Sequence, residues 1–233
     1  MILHDVAMVA ADTTRTRYYI EELIKNDLLP HYILLLLNSD GKFLPGKNKG
    51  ERSLLKDIGL LKDIGIQYDI VLNRDINSDE VITKIANRVE KVFIFSGFGG
   101  VLLKEKILDS GKKFLHIHGG YLPDYKGSTT NYYSLINDNA IGASAIFLTK
   151  EIDCGPILLR KKFSPPKDRT EIDHSTDSEA RAEVLIECLQ NYVHSGSWEY
   201  ELENNLGGET FYIIHPVLKH LAILGKSRLC VAS

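Results

Sequence analysis

The run His31-Tyr-Ile-Leu-Leu-Leu-Leu37 carries no charged side chain and, after its tyrosine, only aliphatic ones, so a strand built from it must be covered on both faces. A second such run, His4-Asp-Val-Ala-Met-Val-Ala10, precedes it. Between them, Asp12-Thr-Thr-Arg-Thr-Arg17 supplies start signals for a helix through Tyr18 to Lys25. Strand, helix, strand at this spacing requires a parallel pair under a helix, and therefore an α/β sheet. Lys91-Val-Phe-Ile-Phe95 adds another buried strand. With 233 residues and 44% hydrophobic content, one large α/β domain is expected rather than two.

Chemistry concentrates in Phe114-Leu-His-Ile-His-Gly-Gly-Tyr-Leu-Pro-Asp-Tyr-Lys-Gly127. Lys113 to Ile117 reads as a short strand, and alternation puts Phe114, His116 and His118 on one face. Gly119-Gly120 then permits a sharp turn or close approach to a ligand, and Leu122-Pro123-Asp124 stops any regular element. A helix is expected over Ser128 to Ile136, opened by Ser and Thr signals. Ala143 to Leu148 is a further strand, closed by the turn Ile152-Asp153-Cys-Gly-Pro156. A carboxylate at that turn can orient a histidine or hold its protonated form.

The order strand, His-x-His, Gly-Gly, Leu-Pro, basic-Gly, helix, strand, Asp-x-Gly resembles the folate-dependent formyltransferase family. The resemblance covers Val92 to Leu159 and implies a three-layer, Rossmann-like fold with a mostly parallel, twisted sheet flanked by helices. It implies that His118 and Asp153 are catalytic and that Lys126 and Gly127 contact substrate. The family carries asparagine two positions before its histidine, where this chain has His116. The asparagine donates a hydrogen bond to the formyl oxygen, a role worth roughly 3–4 kcal/mol. Imidazole can donate from either ring nitrogen, so His116 is expected as a substituted donor, with altered or lost activity as the competing outcome. The family's proline after the histidine is Gly119 here.

The same resemblance implies 10-formyltetrahydrofolate as formyl donor, bound by Phe98, Gly99, Gly100, Val101 and Leu102, with Thr149, Glu151 and Ile152 as the opposite wall. Gly97-Phe-Gly-Gly100 does not match the dinucleotide fingerprint, because its spacing ends too early. At the first helix, Thr14 and Arg15, with Arg17 adding charge, either meet an acceptor phosphate or form an ordinary cap with solvated arginines. Residues 1–163 are expected as the catalytic core. Residues 164–233 are expected as a C-terminal extension packed on the same domain, with an amphipathic helix over Ser178 to Gly196. His215 to Ala222 is read as a surface helix, and no metal is expected. The hexamer Leu-Leu-Lys-Asp-Ile-Gly occurs in tandem at 54–59 and 60–65, too short for a solenoid.

A formal charge of −3 leaves no basic footprint for nucleic acid. Three cysteines without metal spacing fit a reducing cytoplasm, and no apolar run suffices to span a membrane. The chain also lacks room for the additional barrel that tRNA formyltransferases usually carry. The leading expectation is an N-formyltransferase acting on a small-molecule amine, an amino sugar carried on a nucleotide being the favoured acceptor, with a homodimer as an allowed assembly. A one-carbon hydrolase on the same scaffold and a catalytically silent folate- or sugar-nucleotide-binding module are the alternatives.

Overall fold

The computed structural model describes residues 1–38, 59, 61–63, 65–198 and 205–225. Most of the 41–66 loop, including the first hexamer up to Ile58, falls outside the described residues; of the second hexamer, residues 61–63 are helical and Gly65 is in a turn.

The apolar runs form the strands of a seven-stranded sheet: β1 (Ile2–Ala11), β2 (Leu29–Leu36), β3 (Gln67–Val71), β4 (Val92–Ser96), β5 (Lys113–His118), β7 (Ile141–Phe147) and β8 (Ile157–Phe163). Their order is β3-β2-β1-β4-β5-β7-β8. The first five are parallel, and β7 pairs antiparallel with both β5 and β8. The sheet is therefore mostly parallel, as its doubly covered runs require.

Strand alternation divides the interior into two apolar layers. Met8 and Ala10, Ile33 and Leu35, Val92 and Ile94, and Leu115 and Ile117 face one layer. Ala7 and Val9, Leu34 and Leu36, Phe93 and Phe95, and Phe114 face the other. Helix α1 (Thr14–Lys25) packs Tyr19, Ile20 and Leu23 into the first layer, together with the long helix Asp177–Ser195. Each such fully buried side chain contributes roughly 1.5–3 kcal/mol. Helix α2 (Asp79–Ala86) covers the second layer with Val81, Ile82 and Ile85. Thr13 caps α1, its Oγ1 accepting from the Thr16 amide at 3.2 Å, worth about 1 kcal/mol.

From β1 the chain runs outward through β2 to β3 and then crosses back to β4. The carboxyl ends of β1 and β4 thus flank a reversal of winding direction, where open α/β sheets form their ligand crevice. The helix after β4, α3 (Glu105–Leu108), is a single turn.

One local expectation needs correction. The helix expected from Ser128 starts later, as α4 (Thr130–Asn137), because Thr129 is left-handed with φ 53° and its side chain does not cap. Thr129 Oγ1 instead accepts from the Ile214 amide at 2.9 Å, tying down the C-terminal segment. That segment lays β9 (Glu209–Phe211) parallel to β6 (Tyr125–Gly127). The Phe211 ring sits 5.4 Å from Tyr125 and 4.5 Å from Tyr133. Helix α5 (Asp177–Ser195) is preceded by a π-helical turn, Ile172–Thr176, and α6 (Pro216–Leu224) begins at His215, whose Nδ1 accepts from the Val217 amide. Among the described residues, no helix is long and apolar enough to cross a membrane.

Candidate active site

Because His116 and His118 are in phase with Phe114, β5 presents both imidazoles on one face at its carboxyl end. The connection 148–156 returns Asp153 to them. His118 Nδ1 lies 3.4 Å from Asp153 Oδ1, and both side chains are buried. The other ring nitrogen, Nε2, lies 2.8 Å from the Tyr125 carbonyl oxygen. A carbonyl only accepts, so Nε2 carries the proton and the neutral ring keeps its lone pair on Nδ1.

Asp153 is held from three sides. Its Oδ2 accepts from the Gly127 amide at 2.8 Å, and its carbonyl accepts from Asn205 Nδ2 at 2.7 Å. Its backbone is left-handed, φ 52°, a conformation that aspartate tolerates better than most residues. Gly155 is obligatory beside it: a β-carbon there would fall 1.7 Å from the Phe147 carbonyl oxygen.

Burial, with Arg15 and Arg181 nearby, drives the His116 pKa well below the ordinary histidine value. The ring is therefore neutral near pH 7, and its buried Nδ1 has no hydrogen-bond partner. Burial also lowers the His118 pKa, against the opposing pull of Asp153. Arg181 is fixed by Asp177, Nε to Oδ2 at 2.7 Å, and donates to the Ile117 carbonyl at 2.8 Å. Burial opposes its charge, but Asp177 more than offsets this and the Arg181 pKa is raised. Arg15 donates to Ser96 Oγ at 3.3 Å and to the Gly97 carbonyl.

Two adjoining cavities meet at these side chains. The first, about 480 Å³, is lined by Arg15, Asn131, Asp177, Arg181, Phe211 and Tyr212 among others. The second, about 620 Å³, is walled by Leu103, Leu148, Thr149 and Glu151. Phe95, Gly100, Val101, Leu102, His116, Ile152 and Asp153 border both. A β-carbon at Gly99 or Gly100 would meet nothing within 4 Å, so this loop borders open space. The slot between Gly100 to Leu103 and Leu148 to Ile152 suits a flat ring, with apolar faces and peptide groups at its edge.

Of the residues expected from sequence, His116, His118 and Asp153 come together. Phe98 and Gly99 line the first cavity, and Thr149 and Glu151 the second. Arg15 and Gly127 reach the first cavity, whereas Thr14 and Lys126 line neither. Lys126 is turned inward, its Nζ donating to the Asn205 carbonyl at 3.0 Å. Arg17 pairs with Asp12 at 3.0 Å, so that carboxylate occupies the start of α1. Sequence reasoning missed Asn131, Asp177, Arg181 and the aromatic pair Phe211 and Tyr212. Only the i,i+4 spacing of Asp177 and Arg181 hinted at an ion pair.

The mostly parallel α/β sheet thus carries at its carboxyl end a buried histidine–aspartate pair whose histidine faces the first cavity and whose aspartate borders both. A family model described as formyl transferase matches residues 6–187, and the chain belongs to that family. It is 28% identical over 116 residues to a methionyl-tRNA formyltransferase of Thermodesulfovibrio yellowstonii, a match covering 49% of this chain and only 38% of that relative. A sugar N-formyltransferase from a Shewanella species superimposes with a TM-score of 0.58 at 15% identity, over 95% of this chain and 87% of that one. HypX from Aquifex aeolicus, solved with tetrahydrofolic acid, superimposes with a TM-score of 0.56 at 13% identity, over 93% of this chain and 31% of that one. These likenesses show the Rossmann-like formyltransferase fold.

Proposed function

We propose that this chain transfers a formyl group from 10-formyltetrahydrofolate to the amine of a small molecule, an amino sugar carried on a nucleotide being the acceptor the site suits best. The observation that carries the reading is the buried His118–Asp153 pair, 3.4 Å apart, with His118 on the first cavity and Asp153 bordering both. In this reading the slot between Gly100 to Leu103 and Leu148 to Ile152 holds the folate ring, and the cavity with Arg15 and Arg181, which Phe98 and Gly99 also line, holds the acceptor. Residues 1–163 carry the chemistry. Residues 164–233 complete the acceptor side of the same unit through Asp177, Arg181 and Phe211.

The bound folate supplies an activated formyl carbon. His118 Nδ1, whose lone pair is set by the Nε2 contact to Tyr125, takes the proton from the attacking amine and passes it toward the departing nitrogen. Asp153 stabilises the imidazolium in between. In the tautomer that moves its one ring proton to Nδ1, His116 donates to the formyl oxygen as charge develops there, a contact worth roughly 10²–10³ in rate. Its neutrality does not impair this role, since a neutral imidazole still has one N–H. Arg15 and Arg181 suit an anionic acceptor such as a nucleotide diphosphate, and Phe211 and Tyr212 offer rings to stack against a base or sugar.

The test is to incubate the purified chain with 10-formyltetrahydrofolate and a panel of amino-sugar nucleotides, with methionyl-tRNA and buffer alone as further arms. Conversion that depends on a sugar nucleotide supports the reading. Conversion in buffer alone identifies a hydrolase, and none in any arm identifies a silent binding module.

A further inference from the structure

We propose that His116, His118 and Asp153 also form a binding site for one divalent transition-metal ion of the zinc class, and that the bound ion silences formyl transfer. The second clause rests on the function proposed above; the first does not.

Ligand geometry is the starting point. One ligand atom from each residue can be chosen so that all three lie within 4.8 Å of one another. Bonds of roughly 2.0–2.1 Å to a tetrahedral ion place neighbouring ligand atoms about 3.4 Å apart. His118 Nδ1 and Asp153 Oδ1 already stand at 3.4 Å. His116 brings a ring nitrogen to within 4.8 Å at most, so the three must close in by no more than about 1.4 Å to reach that spacing.

The supporting contacts match those of metal-bound histidines, which donate their second ring N–H to a carbonyl or carboxylate. His118 does this through Nε2 to the Tyr125 carbonyl at 2.8 Å, leaving the Nδ1 lone pair facing the carboxylate. A lone pair and a carboxylate oxygen in that arrangement repel unless a proton or a cation lies between them. Asp153 Oδ2 is taken by the Gly127 amide, which orients Oδ1 inward. His116 Nδ1 is buried without a partner, and with the ring proton on Nε2, the other tautomer from the one that donates in formyl transfer, its lone pair is free for an ion.

Imidazole and carboxylate select zinc, cobalt, nickel or copper over magnesium or calcium. Three protein ligands, all lining the first cavity, leave a fourth position for water from that cavity. Arg15 and Arg181 oppose a dication, but Arg181 is paired with Asp177 at 2.7 Å and Asp153 contributes a negative charge directly. The identity of residue 116 decides the matter: an asparagine there would leave only two strong ligands. A bound ion would occupy the Nδ1 lone pair that proton transfer requires, so transfer and ion binding exclude one another.

The experiment strips the full chain with chelator and titrates it with Co²⁺ in the absence of folate, following visible absorption, with Zn²⁺ calorimetry and Mg²⁺ in parallel. The site predicts one Co²⁺ per chain with the intense bands of tetrahedral coordination, displacement by Zn²⁺ and no response to Mg²⁺. His116→Asn, with folding checked by thermal melting, should weaken binding at least tenfold, which separates this site from surface histidines. Weak octahedral bands in the wild type, or equal affinity in His116→Asn, would overturn the site whether or not the protein transfers formyl groups. Transfer by the stripped protein that persists with Zn²⁺ bound would overturn the exclusion. Tight, His116-dependent Co²⁺ binding without transfer on any acceptor would leave the metal site standing and remove the formyltransferase reading.

Discussion

A β-carbon on Gly119 would lie 2.4 Å from both Arg181 Nη2 and Asp177 Oδ1, so this glycine is what admits the Arg181–Asp177 pair beside the histidines. The family pattern has proline at this position, whose ring would occupy the same space. Gly119→Ala should displace the arginine and raise KM for an anionic acceptor roughly tenfold or more, the value of a charge-assisted hydrogen bond, with a smaller change in kcat. Steady-state kinetics on an accepted amine decides this. Unchanged KM would remove Arg181 from the acceptor site.

The neighbouring Gly120 protects the His118 tautomer protonated on Nε2. A β-carbon there would fall 2.6 Å from the Tyr125 carbonyl oxygen and 2.7 Å from His118 Nε2. Gly120→Ala should therefore break the contact that reserves the Nδ1 lone pair, lowering kcat by roughly 10², the scale of a positioned acid–base group. A normal kcat would mean that the Nε2 contact does not set the chemistry.

The folate slot is probed at Gly100, which borders it and where a β-carbon meets no atom within 4 Å, with thermal melting as a control for the strain of a side chain at φ 76°. Gly100→Leu should fill the space that a pteridine needs and weaken binding of a non-reactive folate analogue at least tenfold, an outcome of lost shape fit. Calorimetry reads it directly. Equal affinity would take this loop out of the cofactor site.

Acid stability should depend on Glu90, which is fully buried between Arg88 and His31. Burial works against its charge, but hydrogen bonds from Arg88, the backbone and His31 win and lower its pKa to about 2. Unfolded glutamate titrates near roughly 4.3, so the stabilisation is complete above that pH and is lost as pH falls toward about 2. Glu90→Gln should flatten the fall of Tm over this window while lowering Tm near neutrality. An unchanged acid limb would contradict the assignment.

Much of this was legible in the residues. Runs such as His31 to Leu37 demanded a doubly covered parallel sheet, and strand alternation alone placed His116 and His118 together. The order of the motif joined His118 to Asp153 across the intervening helix and strand. What stayed hidden was carried by contacts distant in sequence. Asp177 and Arg181 look like any surface pair on an amphipathic helix until α5 is laid against β5. Phe211 and Tyr212 enter the site only because β9 pairs with β6. Lys126 reads as a ligand-binding cation, yet the Asn205 carbonyl draws it inward.

The most direct test of the central claim is the turnover of His118→Gln with 10-formyltetrahydrofolate and an accepted amine, measured alongside thermal melting. Glutamine keeps an N–H for the Tyr125 carbonyl but cannot take up a proton, so the fold should persist while kcat drops by at least roughly 10². A near-normal rate in a well-folded variant would show that His118 does not move the proton.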